Sequence, residues 1–263
     1  YSPVVKGIVS SNIVVITSDK LFPAYQEANR NQIINRNAIS FLDEHLNSIT
    51  PDIENYDDIL KKYVHKSETM KKLIGKLYTY AQEDNPRSIL LYGPVGTGKT
   101  LLAELYGEFR KKAVGNSLKK PNSYQRFNVS EMFSGQGGEG MLYGSRKGLL
   151  HSDDPGMKSP MELAGYGTVH FDEFGKVLKE HKKLFNSILE KNDRTYKSLG
   201  FEEISKAKCH FIATMKEPIE ELSDDHFRRF KKLEIPGLED EDRKKDKVPL
   251  FNFFVEKMNN KQS

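Results

Sequence analysis

The chain has 263 residues, 30% charged and 37% hydrophobic, enough for one large core or a core with an appendage. Its 41 Lys and Arg against 37 Asp and Glu leave a net charge of +4, too small at this size to argue for nucleic-acid binding. No apolar run approaches the roughly 20 residues that span a membrane, no opening segment resembles a signal peptide, and the single Cys209 excludes an intrachain disulfide and a cysteine-based zinc site, so a cytoplasmic protein without membrane contact is expected.

Residues 1–55 are the least patterned. Val4-Val5 and Ile13-Val14-Val15-Ile16 read as short strands. Residues 33–46 carry helical spacing through Ile34, Ile39, Phe41, Leu42 and Leu46. We read 1–55 as an N-terminal region of unassigned role, with residues 51–58 as a linker. A helix then follows on Met70, Leu73, Ile74, Leu77 and Tyr78, a clear i, i+3, i+4, i+7 stripe, and Asn85-Pro86 marks its end.

Ile89-Leu90-Leu91-Tyr92 reads as a buried strand. It runs into Gly93-Pro94-Val95-Gly96-Thr97-Gly98-Lys99-Thr100, which satisfies G-x-x-x-x-G-K-[ST], and a helical pattern follows on Leu101, Leu102, Leu105 and Phe109. That strand–loop–helix setting is what the phosphate-binding motif requires. Its glycines let backbone N–H groups converge on phosphate oxygens, and the helix N-terminus adds its positive end. Lys99 is placed to reach the β- and γ-phosphates, and the Thr100 hydroxyl to ligate Mg²⁺.

The helix is expected to reach about Lys112. Arg110, Lys111, Lys112, Lys119 and Lys120 then read as a solvated helix end and loop rather than a nucleic-acid contact, because no aromatic stacking set is interleaved. Phe127 opens another strand. Residues 134–156 hold seven glycines and read as one long loop of the kind that carries function. Thr168-Val169-His170-Phe171-Asp172-Glu173 delivers two acids at a strand end. In a P-loop ATPase such an Asp helps hold Mg²⁺ and such a Glu polarises the attacking water. His170 has no second His or Cys at ligand spacing and reads as a packed, hydrogen-bonded residue. Leu184, Phe185, Ile188 and Leu189 form a further helical stripe, and Cys209-His210-Phe211-Ile212-Ala213-Thr214 a third core strand. Alternating strands and helices predict an α/β P-loop NTPase fold, a parallel sheet flanked by helices, with Thr214, Asp172 and the P-loop converging at one edge.

These blocks resemble, in order and spacing, the AAA+ ATPase domain of sigma-54-dependent transcription activators. Tyr63-Val64-His65-Lys66-Ser67-Glu68-Thr69-Met70 is similar to that family's V-G-x-S-x-x-M opening. Phe127-Asn128-Val129-Ser130 resembles V-N-C-A, and Leu142-Tyr143-Gly144-Ser145-Arg146-Lys147-Gly148 resembles L-F-G-H-E-K-G. Met161 to Glu173 resembles F-E-L-A-D-G-G-T-L-F-L-D-E, and Asp225-His226-Phe227-Arg228-Arg229-Phe230 resembles D-L-Y-Y-R-L. The resemblance implies an AAA+ core at 56–239 and the start of a helical lid at 240–263. It implies that Asn128 restrains Glu173 until ATP is sensed, that Thr214 is the sensor on its strand, and that Arg229 is a finger entering a neighbouring subunit's site. A salt bridge of Arg229 with Asp224 or Asp225 is the plainer alternative.

The implied cofactors are ATP and Mg²⁺. They would be held by Gly93 through Leu101 with Asp172; Lys99 and Glu173 would join Asn128, Thr214 and Arg229 in the chemistry. The implied partners are copies of the chain in a ring, expected to be a hexamer, and a protein client, with sigma-54 RNA polymerase as the candidate. DNA contact is implied only through regions beyond the sequence in hand. The departures from the family are local. Leu149-Leu150-His151-Ser152-Asp153 stands where the family has A-F-T-G-A, Met215 replaces Asn after the sensor, Asn186 replaces a helix Arg, and Ser223 lies near the second finger position. An AAA+ chaperone or nucleic-acid remodeller without a sigma-54 link, and a nucleotide-dependent scaffold with weak turnover, therefore stay open.

Overall fold

The computed structural model describes residues 5–9, 12–16, 57–60, 63, 66–115, 123–134, 137–149, 155–177, 179–190, 193–216 and 228–259. The chain divides into two units, residues 1–50 and 51–263. In the first, β1 (Val5–Val9) and β2 (Asn12–Ile16) form an antiparallel hairpin in which Gly7 faces Val14. The helix expected over 33–46 lies outside the described residues. So do residues 51–56 of the linker, while the last two linker residues begin a helical turn, α1 (Asp57–Leu60).

The second unit is built on a five-stranded sheet in the order β4-β5-β8-β3-β9, every pair parallel. The strands are β3 (Ser88–Tyr92), β4 (Tyr124–Asn128), β5 (Thr168–Asp172), β8 (His210–Met215) and β9 (Lys231–Glu234). A short antiparallel pair, β6 (Thr195–Tyr196) and β7 (Ser205–Lys206), lies apart from it. All six residues of β8 are buried, as expected of a central parallel strand covered on both faces. Alternation sends Phe211 and Ala213 to one core and Ile212 to the other.

One core holds α2 (Glu68–Ala81) and α3 (Lys99–Gly115) against the sheet through Leu73, Leu77, Leu105, Tyr106 and Phe109. Tyr78 meets Phe109 edge to face at 5.5 Å. The other core centres on Phe171, with Phe185 of α7 (Lys179–Leu189) edge-on at 5.2 Å and Phe211 stacked at 5.7 Å. Such aromatic pairs add roughly 0.5–1.5 kcal/mol each beyond the area they bury.

Helix α2 starts at a Ser67 cap whose hydroxyl oxygen accepts from the Met70 N–H. The buried Asp246 of α8 (Lys244–Asn259) completes that cap. It accepts from the N–H groups of Lys66 (2.7 Å) and Ser67 (2.9 Å) and from the Ser67 hydroxyl (2.8 Å). The far end of α2 comes at Ala81, four residues before Asn85.

Several expectations need correction. Strand β4 opens at Tyr124, and Phe127 is its fourth residue. The glycine-rich stretch is not one loop: α5 (Gly138–Tyr143) forms inside it, and Ser145 bridges to Met157 and Leu199. Arg110 is buried, not solvated. Its Nη1 donates to the Ala81 (3.0 Å) and Glu83 (2.8 Å) carbonyls and its Nε to Tyr166 O (3.2 Å). Its spacing of four from Tyr106 puts it on the inner stripe of α3, where the guanidinium collects carbonyls left open at the end of α2. Lys119 and Lys120 lie outside the described residues. Strand β9 was invisible in the sequence because, as an edge strand, it buries only Leu233.

Candidate functional site

In a parallel sheet all strands deliver their carboxyl ends to one edge, and the loops there meet. Here that edge carries a cavity of about 720 Å³, within the range of ligand sites. Residues 95–101 line it, together with Asn128 from the end of β4, Asp172 and Glu173 from the end of β5, and Thr214 from β8. Two short helices leave this edge, α4 (Val129–Met132) directly after β4 and a 3₁₀ turn (Phe174–Lys176) after Glu173.

The loop 93–100 is shaped by backbone. Gly93, Gly96 and Gly98 all take positive φ, at 146°, 80° and 93°, which side-chain-bearing residues rarely adopt. A Cβ on Gly93 would fall 2.2 Å from the Ile235 carbonyl oxygen, whereas Gly96 and Gly98 face open space. Gly93 and Pro94 do not line the cavity; their carbonyls accept from Lys99 Nζ at 2.8 and 2.6 Å. Thr97 ties the turn with a hydroxyl donated to Pro94 O at 2.9 Å. Helix α3 begins at Lys99 and has no acid in its first turn, so its positive end is uncompensated at the cavity.

The acid side is held by side chains. Asn128 and Asp172 sit in register on neighbouring strands. The Thr214 hydroxyl donates to Asp172 Oδ1, and the Glu173 N–H reaches the same oxygen at 3.0 Å. Since Thr214 spends its proton on Asp172, it must accept from His170 Nε2–H at 3.0 Å. His170 Nδ1 then accepts from the Tyr124 hydroxyl at 2.7 Å. These are the roles of a neutral His170, with one ring nitrogen donating and the other accepting. Burial pushes its pKa down to about 4, outweighing the pull of Asp172. His170 is thus the packed histidine expected of it.

Burial opposes ionisation of Asp172, but the Thr214 and Arg126 hydrogen bonds outweigh it and hold the carboxyl below its ordinary range. Glu173 is held low chiefly by Lys176, whose Nζ lies 2.8 Å from Oε2. Asn128 Nδ2 (3.3 Å) and Ser130 Oγ (3.4 Å) donate to the same Oε2, while Asn128 Oδ1 caps α4 through the Ser130 N–H. Among the described residues Glu173 is the one non-glycine with positive φ, at 56°. Backbone strain of this kind, about 1–3 kcal/mol, concentrates at functional positions.

Arg229 lies elsewhere. It does not line this cavity, and its guanidinium pairs with Glu190 at the end of α7. Asp224 and Asp225, its expected ion-pair partners, lie outside the described residues, as do Leu150 to Asp153. Sequence reasoning missed Arg126, Lys176, Lys216, Leu238 and Leu250 in the lining. Arg126 had a signal: two residues before Asn128 on one strand, it faces the same way.

A glycine loop at a helix start, facing two acids across a sheet edge, defines the P-loop nucleotide-binding class. The family model for the Sigma-54 interaction domain matches residues 63–238, and the chain belongs to that family. Solved structures with similar folds include NtrX from Brucella abortus in complex with ADP, with a TM-score of 0.61, 19% identity, and coverage of 80% of this chain and 44% of that one. The ATP complex of the same protein gives a TM-score of 0.58 at 19% identity, covering 78% and 46%. Among curated proteins, a 26S proteasome regulatory subunit 6B homolog from Aspergillus niger is 26% identical over 202 residues, 76% of this chain and 43% of its own length. Its Saccharomyces cerevisiae counterpart matches at the same identity and coverage. The chain therefore spans less than half the length of the curated relatives it matches.

Proposed function

We propose that residues 56–239 form an ATP-hydrolysing AAA+ core that works in a ring and remodels a protein client, with sigma-54 RNA polymerase as the candidate client. The observation that carries this reading is the meeting of Lys99, Thr100, Asn128, Asp172, Glu173 and Thr214 around one cavity. The residues suit a magnesium nucleoside triphosphate. The open glycine turn and the bare start of α3 suit phosphate oxygens, for which the Gly93 and Pro94 carbonyls now stand in as acceptors of Lys99. Among the described residues no group of three His, Cys, Asp or Glu side chains could hold a metal by itself. That suits Mg²⁺, which takes one or two protein ligands and completes its shell with phosphates and water.

In this reading the loop N–H groups and Lys99 hold the β- and γ-phosphates, and Thr100 and Asp172 hold the cation. The bound nucleotide supplies the phosphoryl group and the cation neutralises its charge. Glu173 orients and deprotonates a water, with Asn128 restraining its carboxylate. Thr214 keeps Asp172 aimed at the cavity. Arg229 acts on a neighbouring subunit after leaving Glu190. The second NtrX structure is an ATP complex, which supports the nucleotide assignment. The similarity to proteasome subunits favours a second reading, an AAA+ remodeller whose client is not sigma-54.

Fluorescent-ATP binding and phosphate release test the nucleotide reading. Lys99→Ala should weaken ATP binding by at least about a hundredfold, the order expected for removing a charged phosphate contact; unchanged affinity would sink it. Co-precipitation of sigma-54 with an ATP transition-state mimic separates the two client readings.

A further inference from the structure

Among the described residues Arg126 is the one arginine or lysine that pairs with Asp172. It lies on the edge strand β4, half exposed, with Nη2 at 2.5 Å and Nε at 3.2 Å from the same oxygen, Asp172 Oδ2. Both nitrogens crowd onto one oxygen because Oδ1 already accepts from Thr214 and from the Glu173 N–H. A carboxylate offers about four acceptor directions, and all four are in use. A divalent cation approaching Asp172 meets a filled carboxylate and a fixed positive charge.

A second acid stands ready for the guanidinium. Glu104 Oε1 lies 3.9 Å from Arg126 Nη1, on α3 one turn beyond Thr100. The two acids flank Arg126, each within 4 Å of a guanidinium nitrogen. Lys99 is satisfied in a parallel way by carbonyls of its own loop. Lys99 and Arg126 are thus each paired internally, on a group that a magnesium nucleotide would use or displace.

We propose that Arg126 is a resident counter-cation of Asp172 that competes with divalent metal for that carboxylate, so that metal enters only together with a nucleotide while Arg126 passes to Glu104. Arg126 is a positioning residue: it sets when Asp172 is free, and takes no part in the chemistry. The inference rests on the reading of the cavity as a magnesium-nucleotide site, but its decisive measurement needs no nucleotide.

The test is Mn²⁺ binding to the full chain without nucleotide, followed by electron paramagnetic resonance. Arg126→Gln should bind Mn²⁺ roughly three- to tenfold more tightly than the wild type, the range for removing one half-exposed opposing charge. Arg126→Lys, which keeps the charge, should stay near the wild type. Glu104→Gln removes the alternative partner, so the Mg²⁺ concentration for half-maximal fluorescent-ATP binding should rise about two- to threefold. Equal or weaker Mn²⁺ binding by a folded Arg126→Gln overturns the proposal. So does a Glu104→Gln profile identical to the wild type. Loss of metal-free ATP affinity in Arg126→Gln, with Mn²⁺ binding unchanged, would instead make Arg126 a phosphate ligand. Should the wild type bind no nucleotide, the ATPase reading falls while the Mn²⁺ comparison still judges Arg126.

Discussion

The loop 93–100 and the strand ends of β4, β5 and β8 face the same cavity and are held in opposite ways. The loop is a backbone object: three glycines at positive φ, one lysine on its own carbonyls, one threonine tie. The acid side is a chain of side chains from three strands, Tyr124 to His170 to Thr214 to Asp172, closed by Arg126. The first is dictated by neighbours along the chain. The second exists only when strands far apart in sequence come into register. A local device tolerates changes elsewhere in the fold, whereas a shared network transmits them.

That contrast can be tested on the acid side. The largest effect is expected at Glu173→Gln, which keeps the side chain's shape and removes its basicity. Turnover should drop about 10²–10⁴-fold with ATP affinity retained; normal turnover would remove Glu173 from the chemistry and favour the scaffold alternative. Next comes Thr214→Val, which leaves Asp172 Oδ1 short of a donor and His170 Nε2–H without an acceptor. Buried at 1% exposure, this change should cost about 1–3 kcal/mol in urea unfolding. A loss below about 0.5 kcal/mol, the level of an indifferent surface change, would show that the network does not act as a unit.

The effect that is smallest near neutrality, and grows only on acidification, sharpens the comparison through pH. His170 and His210 are both held neutral, largely by burial, His170 down to about 4 and His210 well below its ordinary value. His210 sits behind the loop's helix, with Nδ1 2.5 Å from the Tyr106 hydroxyl. Unfolding lets each take up a proton below about pH 6.5. Their contribution is therefore complete above that pH and is lost as pH falls toward the folded values. The slope is at most about 1.4 kcal/mol per pH unit per histidine. Urea midpoints measured from pH 8 to 4.5 should bend downward below 6.5, and His210→Gln should flatten the bend. An unchanged bend would place the acid sensitivity on the Asp172 side alone.

Much of the site was readable from sequence because its signals are local. Strand β3 and the loop are adjacent in the chain, and the acids end an apolar strand, so motif and alternation carried them. Arg110 and Arg126 were harder. A basic residue reads as solvated unless its partners are known, and those partners are carbonyls and a carboxylate dozens of residues away. The helix α5 inside the glycine-rich stretch was obscured for another reason. Glycine masks helical pattern, and the stretch gains order through bridges from Ser145 to Met157 and Leu199.

Sequence alone determined the nucleotide-loop chemistry, the two acids and the alternation that yields a parallel sheet, because glycine dihedrals and apolar periodicity act over a few residues. Only the tertiary structure decided which charges pair. It gave Arg229 to Glu190 and Arg126 to Asp172, because an ion pair depends on strand register and burial, which no local pattern encodes.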